Sequence, residues 1–219
     1  MTLSLGYLLP TRERIMAGVH ETVPILDLAD EAEAHGLDSV WIGDSLLAKP
    51  RHDALSLIAA IAGRTRRVKL GTAVLLPALR NPVLLAHQVA TIDQISEGRL
   101  ILGVGIARDI PEIRAEFEAA GVPFEKRVGR MLEGLRLARA LWAGAPVDWE
   151  GRWTVKQGEL APRPHTPGGP PIWSGGGVPN SLKRAGEHYD GWFPSGPGDG
   201  KAWAEGWAQV RKAAEAGAR

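Results

Sequence analysis

Short apolar segments alternate with longer segments of helical periodicity along most of the chain. In the segment 22–35, Ile25, Leu28, Ala29 and Ala32 follow the i, i+3, i+4, i+7 spacing of an amphipathic helix. The apolar segments predict six strands, at residues 3–9, 38–43, 68–76, 100–107, 171–174 and 189–193. The remaining pattern predicts helices at 22–35, after Asp53, at 82–95, 111–120 and 124–142, after Val178 and at 201–216. Strands that alternate with helices indicate a parallel sheet with right-handed crossovers.

Two parallel architectures compete for this order of elements. A doubly wound dinucleotide fold places its glycine-rich phosphate loop after the first strand, where this chain has Pro10-Thr11-Arg12-Glu13. The densest glycine cluster, Ser174-Gly175-Gly176-Gly177, instead follows the fifth strand. That position suits a (β/α)8 barrel, whose ligand site is built from loops at the carboxyl ends of the strands. We therefore predict an α/β fold of the (β/α)8 TIM-barrel type.

The barrel is expected to be a single domain over residues 1–219, with an insertion at about 145–170. A hairpin pattern at 147–155 and a proline-rich stretch at 161–171 indicate the insertion. Six strand–helix units are counted where the barrel needs eight, and we expect the last two to be absent from this sequence. The alternative is a naturally shortened barrel whose open edges a partner or a loop covers. In the last helix, Trp203, Trp207, Val210 and Ala214 are expected to share the packed face.

Composition narrows the class of protein. Lysine and arginine total 26 and aspartate and glutamate 25, a balance that argues against a nucleic-acid or anionic-membrane partner. Without a cysteine, the chain has no disulfide, thiolate metal site or cysteine nucleophile. The six histidines show no pair with metal-ligand spacing, so no metal is expected. The first residues lack a signal-peptide pattern and no apolar run is long enough to span a bilayer, which favours a cytoplasmic protein.

Glycine and polar residues at the predicted strand ends are the candidate site. Gly175-Gly176-Gly177 precedes a helix start with a proline, and forms either a phosphate cradle or a plain turn. Asp44 ends the second strand and either faces a ligand or caps the following loop. Gly105 permits the close approach of a planar ring. Arg108 meets either a phosphate or carbonyl group, or one of the nearby acids Asp109 and Glu112 in solvent.

Several segments, taken together, resemble one known family. Residues 33–44 read Glu-Ala-His-Gly-Leu-Asp-Ser-Val-Trp-Ile-Gly-Asp. Residues 71–82 run from a strand through a break bounded by two prolines, and the helix that follows ends in the turn Ser96-Glu97-Gly98-Arg99. Leu102-Gly103-Val104-Gly105, the segment 170–176 and Tyr189-Asp190-Gly191-Trp192 follow in order. This order and spacing resemble the bacterial luciferase-like monooxygenases, which are flavin- and deazaflavin-dependent oxidoreductases.

The resemblance implies a (β/α)8 barrel, usually dimeric, that binds FMN or the deazaflavin coenzyme at the carboxyl face of its strands. It also implies a cis non-prolyl peptide at or beside Ala73-Val74. The residues that it assigns to the cofactor are Asp44 near the ring, Ala73, Val74 and Leu75 behind it, Gly105 and Arg108 beside it, and Gly175, Gly176 and Gly177 at the phosphate.

The function implied by the resemblance is oxidation or reduction of a small organic substrate, with a separate flavin or deazaflavin reductase as a further partner. The alternative is a barrel relative that binds flavin without turnover or serves only as a subunit. Ser45 stands where many deazaflavin members have a histidine, and no catalytic residue is assigned. A homodimer is expected through the helix at 82–95, where Val83 and Leu84 widen the apolar surface.

Overall fold

The computed structural model describes residues 3–195 and 198–217 of the chain. The strands, in chain order, are β1 (Gly6–Leu8), β2 (Ser39–Ile42), β3 (Lys69–Thr72), β4 (Leu100–Val104), β5 (Val147–Trp149), β6 (Val155–Gly158), β7 (Ile172–Gly175) and β8 (Gly191–Phe193). The α-helices are α1 (Thr11–Met16), α2 (Val23–Ala34), α3 (Ala54–Arg64), α4 (Pro82–Ile95), α5 (Pro111–Ala119), α6 (Arg127–Trp142), α7 (Pro179–His188) and α8 (Gly200–Ala216). Short 3-10 turns lie at Pro77–Leu79 and Phe124–Lys126.

Six strands form one parallel sheet in the order β1-β2-β3-β4-β7-β8. The sheet is curled, because the Trp41 ring on β2 lies 5.6 Å from the Trp173 ring on β7 and 5.1 Å from the Phe193 ring on β8. In a flat sheet, side chains three or four strands apart would be separated by about 14–19 Å. The curl and the edge position of β1 confirm the predicted barrel-type fold, here as six parallel strands, and exclude the doubly wound order.

The main hydrophobic core lies between this sheet and the helices α2 to α6. Two of those helices begin at side chains that cap their first turns. The Asp53 carboxylate accepts a hydrogen bond from the Ser56 N–H at 2.8 Å, which confirms the predicted cap of α3. The Asn81 side chain accepts from the Val83 N–H at 2.9 Å, and the proline that follows opens α4.

The strands are shorter than the apolar segments suggested, and α1 was not predicted. β1 occupies only Gly6–Leu8 and β4 ends at Val104. β3 ends at Thr72, and Leu75 rejoins the sheet through a single bridge to Val104. Some of the apolar residues therefore lie in loops beyond the strands, as Leu75 and Leu76 do after β3, where both are buried.

The packed face of α8 includes Val210, as predicted, but excludes Trp203 and Trp207. Trp203 and Trp207 are 47% and 48% exposed, whereas Gly206 and Val210 are buried. A Cβ atom on Gly186 of α7 would lie 2.2 Å from the Val210 carbonyl oxygen, so the two helices approach too closely for bulky side chains between them. Small residues therefore set this contact, and the two tryptophans point away from it.

The segment between α6 and β7 begins with the β5–β6 hairpin, which confirms the predicted hairpin and extends its second strand to Gly158. The proline-rich stretch then packs back onto α4. The Thr166 N–H donates to the Asp93 carboxylate at 2.7 Å, and the Gln94 amide donates to the Arg163 carbonyl at 2.7 Å. These contacts suit an insertion that belongs to the same packed unit. Within residues 3–195 and 198–217, no helix is both long and apolar enough to cross a membrane.

Candidate functional site

The loops that follow the parallel strands enclose a cleft at their carboxyl ends, where the sequence placed the candidate site. The cleft comprises two adjoining cavities. The glycine-side cavity has a volume of about 390 Å³ and is lined by Ala73, Val74, Gly105, Ile106, Ala107, Arg108, Gly175, Gly176, Phe193, Pro194 and Ser195. The arginine-side cavity has a volume of about 340 Å³ and is lined by Asp44, Ser45, Lys49, Arg51, Ala73, Val74, Leu76, Ala107, Arg108, Ile110 and Ile113. The structure thus brings most of the predicted site residues together.

Val74 lies where the two cavities meet. The peptide bond between Ala73 and Val74 is cis, as the resemblance implied. A Cβ atom on Gly105 would lie 2.5 Å from the Val74 Cγ2 atom, and one on Gly175 would lie 2.9 Å from Val74 Cγ1. The two glycines therefore make room for the Val74 side chain, which forms an apolar floor between the ends of β4 and β7.

Leu75 lies behind this floor and does not line either cavity. Its side chain is fully buried. Its N–H donates to the Gly103 carbonyl at 2.7 Å, and its carbonyl accepts from the Gly105 N–H at 2.9 Å. Leu75 therefore fixes the floor to β4 from the core side.

Asp44 borders the arginine-side cavity, but both of its carboxylate oxygens are engaged. Arg80 Nη1 donates to Oδ2 at 2.6 Å, Arg80 Nη2 donates to Oδ1 at 2.9 Å, and the Leu76 N–H donates to Oδ2 at 2.9 Å. The Asp44 side chain is 2% exposed and that of Arg80 is 15% exposed. Burial lowers the pKa of Arg80, but the hydrogen bonds and charge of Asp44 outweigh it and raise that pKa overall. Asp44 thus anchors the turn after β3.

Glu116 anchors the loop after β2 in a similar way, and the sequence reasoning missed it. Its Oε2 atom accepts hydrogen bonds from the Ser45 hydroxyl at 2.7 Å, the Leu47 N–H at 2.7 Å and the Ala48 N–H at 2.9 Å. Burial raises the pKa of Glu116, but these hydrogen bonds outweigh burial and lower the pKa overall. The signal available in the sequence was an acidic residue between Ile113 and Phe117 on the apolar side of a predicted helix.

Three cations border the arginine-side cavity, and the sequence reasoning missed two of them, Lys49 and Arg51. Burial lowers the pKa of Arg51, partly offset by the charge of Glu13. The Nε atom of Arg51 donates to the Lys49 carbonyl at 3.3 Å, and its terminal nitrogens have no hydrogen-bond partner among the described residues. Within the same residues, the Lys49 ammonium and the Arg108 guanidinium make no ion pair.

The expected alternative for Arg108, an ion pair with Asp109 or Glu112, is wrong, because Arg108 makes no ion pair among the described residues. Arg114 binds both oxygens of the Asp109 carboxylate instead, at 2.6 and 2.8 Å. Arg114 also pairs with Glu125 at 2.7 Å. Arg108 is exposed and faces the cleft with an unneutralised charge.

The three glycines after β7 take different roles. Gly175 lines the glycine-side cavity beside Val74. Gly176 has φ +135°, its N–H donates to the Phe193 carbonyl at 3.2 Å, and a Cβ atom there would lie 2.5 Å from Ser181 Oγ. Gly177 lies beside Ser195 in a neighbouring cavity of about 200 Å³.

The backbone at the start of α7 supplies donors that the Gly176 N–H does not. The N–H groups of Gly177, Val178 and Asn180 donate to no acceptor within the described residues. Unpaired N–H groups at a helix start attract anions. The described residues contain no group of three or more His, Asp or Glu side chains that could hold a metal ion.

The sequence of the chain is similar to those of known enzymes. The chain is 37% identical over 176 residues to the F420-dependent glucose-6-phosphate dehydrogenase of Nocardia farcinica, a match that covers 77% of this chain and 52% of that enzyme. It is 36% identical over 185 residues to the enzyme of the same name from Mycobacterium avium, covering 80% of this chain and 54% of that enzyme. The chain thus spans about half the length of the curated relatives that it matches.

A solved structure and a family match agree with these relatives. The monooxygenase RslO1 from Streptomyces bottropensis superimposes with a TM-score of 0.85 and 28% identity, over 99% of this chain and 67% of that protein. Residues 3–219 match the luciferase-like monooxygenase family. The chain therefore belongs to the luciferase-like monooxygenase family.

Proposed function

We propose that this chain acts as an oxidoreductase that uses a deazaflavin cofactor of the F420 type, held in the cleft at the carboxyl ends of the strands. Membership of the luciferase-like family supports this proposal, as do the F420-dependent relatives at 36–37% identity. The observation that carries it is the apolar Val74 floor, for which Gly105 and Gly175 make room between two polar ends of one cleft.

The glycine-side cavity fits a planar ring. Its volume, about 390 Å³, lies within the range of roughly 300–1,000 Å³ that is common for small-molecule sites. Ala73, Val74, Ile106 and Phe193 offer an apolar surface. When bound, the deazaflavin supplies the two-electron chemistry, and the protein supplies position and electrostatics. The residues that we assign to the ring are Ala73, Val74, Gly105 and Gly175, with Leu75 and Asp44 supporting the surrounding backbone.

The cofactor phosphate is assigned to the start of α7. Gly177, Val178 and Asn180 offer unpaired N–H groups there, and the helix dipole adds roughly 1 kcal/mol of attraction for an anion. The Gly176 N–H is not assigned to the phosphate, because it donates to the Phe193 carbonyl. Gly176 is instead assigned the positive φ that the backbone adopts before α7.

We assign no residue of the cleft walls to proton transfer. Both Asp44 carboxylate oxygens and Glu116 Oε2 accept hydrogen bonds within the protein, and the Ser45 hydroxyl donates a hydrogen bond to Glu116 Oε2. Glu116 Oε1 is buried and has no hydrogen-bond partner among the described residues. The part played by the chain's own residues is therefore to bind the ring, exclude water from its face and orient the substrate.

Titration of the full chain with F420 and, separately, with FMN tests this function. Binding of F420, followed by bleaching of its visible absorbance when an oxidisable substrate is added, is the expected result. Binding without any reduction would favour the non-catalytic relative, and binding of neither cofactor would refute the proposal.

Gly177→Asp tests the phosphate assignment. A Cβ atom at Gly177 lies an acceptable 3.4 Å from the Ser195 carbonyl oxygen, so the variant should fold, whereas substitution of Gly176 meets Ser181 and an unfavourable φ. The new carboxylate should repel the phosphate and weaken F420 binding at least tenfold, which is about 1.4 kcal/mol. Gly200→Asp is the matched control, because no atom lies within 4 Å of its Cβ position. Equal affinities in the two variants would place the phosphate elsewhere.

The homodimer, the separate reductase and the cytoplasmic location stay predictions. For the dimer, Leu84 is 65% exposed on α4 while Leu85 is buried, which leaves an apolar group on the outer side of the helix. Light scattering should give a dimer mass for the wild type and a lower mass for Leu84→Glu. A monomer at micromolar concentration in the wild type would contradict the predicted dimer.

A further inference from the structure

The arginine-side cavity carries a positive charge that the cofactor assignment does not use. Lys49, Arg51 and Arg108 border it, and none of the three makes an ion pair among the described residues. Asp44 is paired with Arg80, whereas Glu116 keeps its negative charge, because its partners are the Ser45 hydroxyl and two N–H groups. The charges of Glu116 and Glu13 act on Arg51 without an ion pair. Together, Lys49, Arg51 and Arg108 outnumber these two carboxylates, so this end of the cleft carries a net positive charge.

Arg51 is placed at the cavity by a specific packing arrangement. Its guanidinium lies against the backbone of Gly43, so that a Cβ atom at Gly43 would be 1.8 Å from Arg51 Nη1. The Lys49 carbonyl holds Nε at 3.3 Å. A half-buried guanidinium with free terminal nitrogens is well suited to a bidentate contact with a carboxylate or phosphate.

We propose that Lys49, Arg51 and Arg108 bind an oxyanion, carboxylate or phosphate, carried by the substrate. This assignment rests on the proposed function, because the cavity joins the glycine-side cavity at Ala73, Val74, Ala107 and Arg108. The proposed phosphate cradle at α7 borders a third cavity, which shares Pro194 and Ser195 with the glycine-side cavity and no residue with the arginine-side cavity. A substrate held by its oxyanion at Arg51 would extend towards Val74 from the arginine-side cavity.

Calorimetric titration with inorganic phosphate at constant ionic strength tests the cluster directly. Arg51→Met should weaken phosphate binding by roughly 10- to 100-fold, the range expected for the loss of one charged hydrogen-bonding partner. Arg211→Met is the matched control, because it removes one arginine from the exposed face of α8. Phosphate should also protect Arg51 from modification by phenylglyoxal, measured by peptide mass spectrometry.

Gly43→Ala provides a second test that leaves every charge in place. The new methyl group must displace the end of the flexible Arg51 side chain, and the fold can accommodate this because no backbone atom is nearer than 3.6 Å. Phosphate affinity should again fall by roughly tenfold. Unchanged affinity in both Gly43→Ala and Arg51→Met would overturn the proposal.

Two further measurements separate this proposal from the cofactor assignment. If Gly177→Asp abolishes phosphate binding and Arg51→Met does not, the phosphate occupies the cradle and the substrate site proposed here is wrong. If saturating F420 displaces phosphate from Arg51, the cluster holds an anion of the cofactor and the substrate assignment is overturned. If phosphate binds at Arg51 while neither F420 nor FMN binds, the oxyanion site stands and the proposed function fails.

Discussion

The ends of β2 to β4 form one wall of the cleft and the ends of β7 and β8 form the other, and different contacts hold the two walls. On the first wall, buried carboxylates fasten the loops: Asp44 holds the turn after β3 and Glu116 holds the loop after β2. This wall rests on the main hydrophobic core.

The second wall is held mainly by backbone and ring contacts. Gly176 donates its N–H to the Phe193 carbonyl, and its own carbonyl accepts from Trp192 Nε1 at 2.6 Å. Behind it lies a small core of Leu182, Ala185 and Val210. This wall carries no buried carboxylate among the described residues, and it leaves N–H groups at the start of α7 unpaired.

The comparison separates charged groups that hold the structure from charged groups that are available to a ligand. Acidic side chains that line a cleft are usual candidates for acid–base chemistry, but here they are engaged in holding the first wall. The groups available to a ligand are the cations of the first wall and the backbone donors of the second. Variants on each wall should therefore fail in different ways, and the following predictions run from the largest effect to the smallest.

Asp44→Asn should give the largest loss of stability. The substitution removes the charge that neutralises Arg80, which is only 15% exposed. Breaking a buried pair from one side costs about 3 kcal/mol in the free energy of unfolding. Urea unfolding measures the change, and Asp109→Asn is the control because its pair with Arg114 is exposed and should contribute little. Similar midpoints for the two variants would mean that the Asp44–Arg80 pair does not hold the first wall.

Gly105→Ala should destabilise the protein where the two walls meet. Its Cβ atom would lie 2.5 Å from Val74 Cγ2, and relief of such overpacking costs about 2 kcal/mol. Shortening the opposing side chain should remove the conflict, so the double variant with Val74→Ala should be more stable than the sum of the single variants predicts. A double-mutant cycle measures this coupling. Additive effects would show that Gly105 and Val74 do not compete for the same space.

The sequence predicted the elements of the fold well because their signals are local. Short apolar segments between helical patterns indicated the six parallel strands, and Asp53 was recognised as a cap from its position before a helical pattern. The late glycine cluster indicated a barrel-type sheet. The predicted face of α8 was right for Val210 and wrong for Trp203 and Trp207, since periodicity cannot reveal that Gly186 permits a close approach to Val210 and leaves both tryptophans outside.

The polar anchors of the site were not predictable in the same way, because their partners are distant in the sequence. Ser45 and Glu116 are 71 residues apart, and Asp44 and Arg80 are 36 apart. Only the fold brings these pairs together, and neither Asp44 nor Glu116 has a sequence neighbour that indicates its partner. Family resemblance located the cleft, but it did not distinguish the anchoring carboxylates from ligand-facing groups.

Glu116→Gln should reduce the loss of stability that the protein suffers at acid pH. The pKa of Glu116 in the folded protein lies below its ordinary value of 4.5, so its stabilising effect is present above pH 4.5 and is lost as pH falls through the folded pKa. Near neutral pH the variant should be about 1.5 kcal/mol less stable than the wild type, from the loss of hydrogen bonds to a charged acceptor. Urea unfolding at several pH values should show this difference shrinking below pH 4.5. Glu118→Gln, at an exposed position of the same helix, should stay close to the wild type throughout, and a constant gap between Glu116→Gln and the wild type would contradict the charged role of Glu116.

Trp192→Phe should have the smallest effect, and that effect should be confined to the second wall. The variant keeps an aromatic ring against Leu182 and Val210 but removes the Nε1 donor to the Gly176 carbonyl, a loss of about 1 kcal/mol. Because the main core does not include these residues, the loss should appear as faster hydrogen exchange in α7 and α8, with β2 to β4 unchanged. The start of α7 should also become less well ordered, so F420 affinity should fall slightly while phosphate binding at Arg51 stays the same. If exchange accelerates equally in β3 and α7, the two walls open together and the distinction between them is wrong. If exchange accelerates only in α7 and α8, the cradle belongs to a unit that can loosen while the cationic end of the cleft stays folded.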